Sequence, residues 1–374
     1  MTCGSVLVTG GAGFIGSHLG DELLRHGYRV RVLDSLLPQV HGPAAGRPEY
    51  LDSEIELIKG DVRDPDAVKK ALEGMDAVFH LAAMVGVGQS MYEIERYTSV
   101  NNNGTAVLME AIVHSGRVEK VVVASSMSIY GEGLYHDSLG NEYHGSQRCL
   151  EQLKTGTWEL YNDEGEHLVP VPTPETKNPS LASVYALSKY DQEKMSIIVG
   201  NAYHIPVVAL RFFNVFGTRQ SLSNPYTGVL AIFASRLLNS NCPLIFEDGL
   251  QQRDFVSVYD VVQACRLALE VPQESCQVFN VGSGTSHNIL EVLEQLAQLL
   301  QCEQIKPAIT NNYRAGDIRH CFADITAAQN LLGYRPRVSF EEGLTELAEW
   351  LRGQIPEDYA PVAHAELSAR GLTL

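Results

Sequence analysis

The sequence predicts an α/β fold, a doubly wound parallel sheet of the Rossmann type with a smaller lobe toward the C-terminus. Three observations predict it. Short β-branched apolar runs alternate with segments of helical period through the first 215 residues, the pattern of βαβ units. A glycine-rich turn, TGGAGFIGSH, follows the first run and opens the first helical segment. From residue 216 the rhythm loosens into short apolar pieces and one clear helical stretch, HNILEVLEQLAQLL (287–300).

The strand candidates are VLVTG (6–10), YRVRVLD (28–34), IELIKGD (55–61), AVFHLAA (77–83), KVVVASS (120–126) and PVVALRFFN (206–214). Helical patterns fall between most of them, including GSHLGDELLRHG (16–27) and GTAVLMEAIVHSG (104–116). Residues 131–180 are polar and rich in Gly, Pro, Glu and His, and read as an insertion, a structural flap or lid. The organisation expected is a dinucleotide-binding domain over 1–215 carrying that insertion, a mainly substrate-binding lobe over 216–354, and a tail over 355–374.

Composition narrows the function class. At 374 residues with 45% hydrophobic and 20% charged side chains the chain is an ordinary soluble type, and no run reaches the roughly 18 apolar residues of a membrane span. No basic leader precedes the first apolar run, so a secretory signal is not expected. Seven scattered cysteines without a C-x-x-C predict a reduced, cytoplasmic chain with neither a disulfide framework nor a zinc ribbon. A net charge of −17 argues against nucleic acid and anionic membrane as partners. An anionic ligand would need placed arginines and helix N-termini to hold it against that field.

The glycine turn supplies part of this. Gly10 permits a tight turn, Gly13 lets backbone approach a pyrophosphate, and Gly16 lets helix pack on strand. Asp34 ends the second strand at about the 20-residue offset of an acid that binds adenosine ribose hydroxyls. A carboxylate there repels a 2′-phosphate, which favours NAD over NADP. Arg31 precedes it on the strand and reads as a solvated face residue. Asp61, in KGDVRD, is placed to cap the adenine edge.

In SVYALSKYDQEK (183–194) Tyr185 and Lys189 stand four apart, on one helical face. An ammonium beside a phenol is expected to lower the phenol's pKa and make it a base near neutral pH.

Together these motifs resemble the extended short-chain dehydrogenases/reductases, specifically the nucleotide-sugar epimerase/dehydratase group. The resemblance runs from residue 5 to about 352 through TGGAGFIG, DVRD, HLAA (80–83), NNNGT (101–105), SSMSIYG (125–131), YALSK (185–189), RFFNVFG (211–217), RDFV (253–256), NVGSG (280–284) and RAGDIRH (314–320). It implies Ser126, Tyr185 and Lys189 as the catalytic set, with Lys189 also on the nicotinamide ribose. It implies a cofactor lined by Gly10, Gly13, Phe14, Ile15, Gly16, Asp34, Asp61, Val62, Leu81, Ala82, Ala83 and Asn101. It implies a substrate held by Ser125, Ser126, Met127, Asn214, Val229, Arg253, Arg314 and Asp317, with Arg253 and Arg314 on phosphate and Asp317 on the nucleotide ribose. A homodimer packed through the helix of Tyr185 is implied as well.

The expected reaction begins with Tyr185, as phenolate, removing a proton from a sugar hydroxyl while hydride leaves the same carbon for NAD. Turning the 4-keto sugar over and reducing its opposite face is epimerisation. Dehydration would need an acid and a base beside the catalytic serine, where the resembling dehydratases carry Asp-Glu; here those positions are Met127 and Ser128. A decarboxylase would need a cation near MVGVGQS (84–90), which offers none. A reductase would release and rebind its cofactor, and a non-catalytic NAD-binding regulator would commonly lack Tyr185 or Lys189. SNPYTGVLAIF (223–233) with SSMSIYGEG and the long insertion resembles the dTDP-L-rhamnose 4-epimerase-like and UDP-glucose 4-epimerase-like members, so a dTDP- or UDP-sugar is the expected substrate. Relatives with cysteine pairs in the insertion look like zinc knuckles. Here Cys149, His136, His144 and His167 are irregularly spaced, and no metal is expected.

Overall fold

The computed structural model describes residues 4–43, 46–145, 147–272 and 276–373. Seven strands pair in parallel: β1 (Ser5–Thr9), β2 (Arg29–Asp34), β3 (Glu56–Lys59), β4 (Ala77–His80), β5 (Lys120–Ser126), β6 (Val207–Phe212) and β7 (Gln277–Val281), in the order β7-β6-β5-β4-β1-β2-β3. All of β1 and β6 is buried, as strands covered on both faces must be. Alternate side chains divide between two layers. Leu7, Val78, Val121 and Val123 pack with helices α2 (Pro65–Leu72) and α3 (Gly104–Ser115) on one face. Val6, Val8, Phe79 and Val122 pack with α1 (Phe14–Arg25) on the other. Strand order reverses between β1 and β4, which opens a crevice beyond their C-terminal ends, where open α/β sheets bind ligands.

The next helices are α4 (Val184–Tyr203), α5 (Val229–Leu238), α6 (Val258–Glu270), α7 (Ile289–Leu299), α8 (Phe340–Leu351) and α9 (Ala360–Ala369). α5, α7 and α8 enclose a separate apolar core with Phe216 and Phe255, and this is the smaller lobe. α7 and α8 each begin with a capping box, Asn288 with Glu291 and Ser339 with Glu342. The segment expected to be mainly lobe also returns to the sheet: Val261 and Ala264 of α6 pack with the α1 layer, and β7 pairs along β6 from Gln277↔Val208 to Val281↔Phe212. Residues expected to be a plain tail form α9, which docks on the lobe. No helix among the described residues is long and apolar enough to cross a membrane.

The insertion folds as a flap in which Leu134–His136 pairs antiparallel with Glu142–His144 and with Val169–Val171. A buried ionic cluster holds it to the lobe. Arg148 of the insertion reaches Glu132 at 3.3 Å and Glu247 at 2.8 Å. Arg319, fully buried, takes Glu247 at 3.0 Å, Asp248 at 2.7 Å and Glu159 at 2.5 Å. Glu132 also accepts the backbone N–H of Arg319 and of His320 and the Tyr135 hydroxyl. Among the described residues no group of three or more His, Cys, Asp or Glu is arranged to hold a metal ion.

This cluster has a pH signature. Burial opposes its charge, but hydrogen bonds from His320 and Arg319 and the Arg319 charge hold the Glu159 carboxyl down at about 2, below the usual 4.5. A depressed carboxyl stabilises the folded state above the unfolded pKa, and that contribution is lost as pH falls from about 4.5 toward 2. Limited proteolysis within 131–180 should therefore accelerate across that window, and Glu159→Gln should destabilise the neutral protein by about 2 kcal/mol while flattening the acid dependence. A variant with the wild-type acid profile would exclude this role for Glu159.

Candidate active site

The glycine turn leaves β1 and enters α1. Gly10 has φ +69°, and a Cβ there would lie 2.8 Å from the Ala82 nitrogen; a Cβ on Gly16 would lie 2.5 Å from the Gly10 oxygen. Both positions therefore exclude larger residues, for backbone and packing reasons respectively. Gly13, at the N-cap, supplies no side-chain cap to α1, so the first amides of the helix stay open toward the crevice. Asp34 accepts from Ala12 N at 3.0 Å and Leu36 N at 2.8 Å, which aims its carboxylate at the same crevice. Arg31 points away and binds Glu56. Asp61 is held low by the hydrogen bond from Arg63, with which it forms a bidentate pair at 2.7 and 2.9 Å.

The resulting cavity, about 450 Å³, is lined by Gly10, Gly13, Phe14, Ile15, Gly16, Asp34, Asp61, Val62, Leu81, Ala82, Ala83, Ser125, Tyr185 and Lys189. Open helix amides, a carboxylate at the strand end and an apolar floor fit a dinucleotide. Asn101 is not on its wall. That side chain is fully buried, donates to the Met84 carbonyl and to Ser188 Oγ, and accepts from Met84 N, so it shapes the loop after β4.

Tyr185 stands at the start of α4, capped by the Ser183 hydroxyl on Ala186 N. Ser126, at the end of β5, accepts from Ser128 N at 3.2 Å and from Ser128 Oγ at 2.9 Å, and hydrogen-bonds to Tyr185. With its oxygen already accepting twice, the Ser126 proton is the one directed at the phenol. Burial pushes the Tyr185 hydroxyl up, and only the Ser126 bond opposes it. This corrects the expectation that the neighbouring ammonium lowers it. Burial also takes Lys189 down to about 7, against the pull of Glu193, so near neutrality it carries only part of its charge.

Lys189 donates to Gln192 Oε1 at 2.7 Å. Gln192 in turn donates to Thr105 Oγ1 at 2.9 Å, and Thr105 gives its proton to the Asn101 carbonyl. His80 bridges Thr105 and Thr9 at 2.9 and 2.8 Å, and burial holds it neutral with a pKa of about 3. His80, Thr105 and Gln192 stand in HLAA, NNNGT and YDQEK with no role legible from the motifs; polarity at apolar strand and helix positions is the one signal they carry.

A second cavity, about 370 Å³, shares Ser126, Tyr185, Asn214 and Val229 with the first. Met127, Ser128, Arg253, Arg314 and Asp317 also line it. Arg253 is oriented by donating to the carbonyls of Gln252, Ile318 and Arg319. Arg314 pairs with Asp317 at 3.0 Å, so the expected phosphate and ribose ligands hold each other. Ser125 does not reach this cavity and gives its hydroxyl to Glu193 at 2.7 Å. Asn214 Oδ1, Gln251 Oε1 and His364 Nε2, all on this wall, are buried without a hydrogen-bond partner among the described residues. Unsatisfied buried atoms facing a cavity mark a place for a polar ligand.

The two hydroxyls separate cleanly by experiment. Tyr185→Phe should reduce turnover at least about 10³-fold with cofactor binding intact, read by cofactor content of the purified protein. Ser126→Ala removes the bond that favours the phenolate, so the rising limb of kcat/KM against pH should move to higher pH. An unmoved limb would show that Ser126 does not tune Tyr185.

A model of the NAD dependent epimerase/dehydratase family matches residues 6–282. The dTDP-L-rhamnose 4-epimerase of Burkholderia thailandensis is 35% identical over 353 residues, covering 94% of this chain and 95% of that protein. The UDP-glucose 4-epimerase of Thermotoga maritima, solved with UDP-glucose, superposes with a TM-score of 0.75 at 32% identity, covering 93% of this chain and 98% of its own. The UDP-glucose 4-epimerase of Thermus thermophilus, solved with NAD, gives a TM-score of 0.73 at 32% identity, covering 94% and 100%. With a dinucleotide cradle, a Ser–Tyr–Lys set and a second polar cavity joined to it, the chain belongs to the NAD-dependent epimerase/dehydratase family.

Proposed function

We propose that this protein is an isomerase, an NAD-dependent nucleotide-diphosphate-sugar 4-epimerase acting on a dTDP- or UDP-sugar. One observation carries the reading. Among the described residues the substrate cavity contains a single carboxylate, Asp317, and it is ion-paired to Arg314. The family includes dehydratases, which must protonate a leaving hydroxyl and deprotonate its neighbour carbon. No carboxylate in this cavity is free to do either.

The residues present suffice for the simpler cycle. Ser126 and Tyr185 bind the reacting sugar hydroxyl, and Tyr185 accepts its proton. NAD, when bound, would supply the redox chemistry, as acceptor of the hydride from that carbon and donor of a hydride to either face of the ketone. Tyr185 then gives the proton back to the sugar oxygen, so atoms and charge balance over one turnover. Lys189 orients the ribose beside the nicotinamide, leaving Gln192 to do so. Arg253 and Arg314 hold the diphosphate while the ketone turns. The wall formed by Val85, Gly86, Val87 and Gly88 carries no charged group that would fix one face of the sugar or bind a sugar carboxylate.

The protein acts in the cytoplasm as a homodimer on this reading. Leu187 and Ile198 lie three turns apart on one stripe of α4 and are exposed, at 46% and 65%, which suits burial against a second copy. The six cysteines among the described residues are all free, in keeping with a reducing compartment.

Incubation with UDP-, dTDP-, GDP- and CDP-sugars, followed by NMR and mass analysis, tests the reaction. The expected product is a 4-epimer of unchanged mass from a UDP- or dTDP-sugar. Loss of one water would establish a dehydratase and loss of carbon dioxide a decarboxylase. Light scattering should give twice the 41.1 kDa chain mass, and a monomer would remove the dimer.

A further inference from the structure

Helix α9 lies beyond the stretch, ending at about residue 352, over which the sequence resembles its family, yet it forms part of the substrate cavity. Ala360, Ala363, His364 and Leu367 all face that space, and Ala363 and Leu367 are buried. The helix is fastened at both ends. Before it, Asp358 binds Arg236 of α5 at 2.9 Å and Asn241 at 2.7 Å, and Glu357 N donates to Ser223 Oγ at 3.0 Å. After it, Ala315 N donates to the Leu372 carbonyl at 2.9 Å, beside Arg314. Arg370 lies 4.4 Å from the Tyr92 ring centroid, on the loop that also carries Gly88. Arg236 lines the cavity but is spent on Asp358 and the Cys242 carbonyl, so the tail removes one arginine from the set available to phosphate.

Side-chain contacts order the cavity. Ser126 and Tyr185 stand at the reacting end. The Arg314 guanidinium lies 5.1 Å from the Phe246 ring centroid, and the same ring faces His364 at 6.0 Å with 33° between planes. In the arrangement proposed here the sugar lies at Tyr185 and the diphosphate at Arg314, and the base lies beyond Arg314 on the side of Phe246 and His364. There the buried Nε2 has no partner among the described residues. A uracil or thymine edge offers carbonyl acceptors flanking a ring N–H, and an imidazole nitrogen can serve either according to its tautomer.

We propose that α9 completes the nucleotide end of the substrate cavity and that His364 Nε2 hydrogen-bonds the base of a pyrimidine nucleoside diphosphate. The proposal deepens the nucleotide-sugar reading above and rests on it. His364 is a specificity residue and takes no part in the proton transfers.

The test titrates UDP, dTDP and inorganic pyrophosphate into the NAD-loaded full chain and into His364→Phe and His364→Gln. Phenylalanine keeps a ring against Phe246 without the nitrogen, whereas glutamine restores a donor and an acceptor. His364→Phe should weaken UDP and dTDP about tenfold, the usual worth of one buried hydrogen bond. Its pyrophosphate affinity should stay within twofold of wild type and its melting temperature should not move, and His364→Gln should recover most of the loss. Unchanged UDP and dTDP affinity in His364→Phe would overturn the assignment. So would an equal loss for pyrophosphate, which would trace the effect to displaced arginines. Wild-type protein that binds neither nucleotide would overturn the assignment together with the nucleotide-sugar reading beneath it.

Discussion

The active-site geometry depends on one buried ion pair. Glu193 of α4 is fully buried and receives Arg211 of β6 at 2.8 and 3.0 Å and the Ser125 hydroxyl at 2.7 Å. Arg211 continues to the Tyr130 hydroxyl, which donates to Asn280 of β7 at 2.6 Å. One carboxylate thus ties α4 to β5 and β6 and, through Arg211, to β7. Tyr185, Lys189 and Glu193 stand at successive intervals of four on one helical face, and Ser126 follows Ser125 directly. The helix cannot slide by a turn without unpairing a buried arginine, a cost of about 3–5 kcal/mol. The distance between the Tyr185 phenol and the Ser126 hydroxyl is consequently a property of the sheet, not of flexible side chains. Preorganisation of this kind is what proton transfer at a fixed site requires.

A second constraint concerns charge. The chain carries −17 overall, while its cavities must accommodate phosphates. The arginines proposed for this are already oriented: Arg253 by three carbonyls and Arg314 by Asp317. Arg319, whose carbonyl helps to hold Arg253, is itself locked in the ionic cluster that fastens the insertion. The flap and the proposed phosphate site therefore share a structural member. Two arginines and four carboxylates thus fasten the insertion to the lobe.

Features built from neighbours in the chain could be read from the sequence, and those built across it could not. The glycine turn, the acid ending β2 and the Tyr–Lys spacing need only local periodicity, and six strands announced themselves as apolar runs. β7 did not, because QVFNV is short and its partner β6 lies some 65 residues earlier, amid lobe segments of similar composition. The ionic cluster was invisible for the same reason: Glu132, Arg148, Glu159, Glu247, Asp248 and Arg319 each look like a solvated charge until the fold brings them together. The Tyr185 pKa shows where a local rule fails. Spacing places an ammonium nearby, but burial, a tertiary quantity, acts on both groups and reverses the expected shift. His364 carried no signal at all, since nothing in the sequence ties the tail to a cavity.

The position of α9 also has a temporal meaning. Among the described residues the cofactor cradle draws only on residues up to Phe255, and six of the seven sheet strands precede it. The substrate cavity, by contrast, lacks a wall until residues 360–367 have been made and docked. During synthesis the residues that line the dinucleotide cavity are therefore made well before the proposed sugar site is enclosed. In order along the chain, every wall of the dinucleotide cavity precedes the final wall of the second cavity.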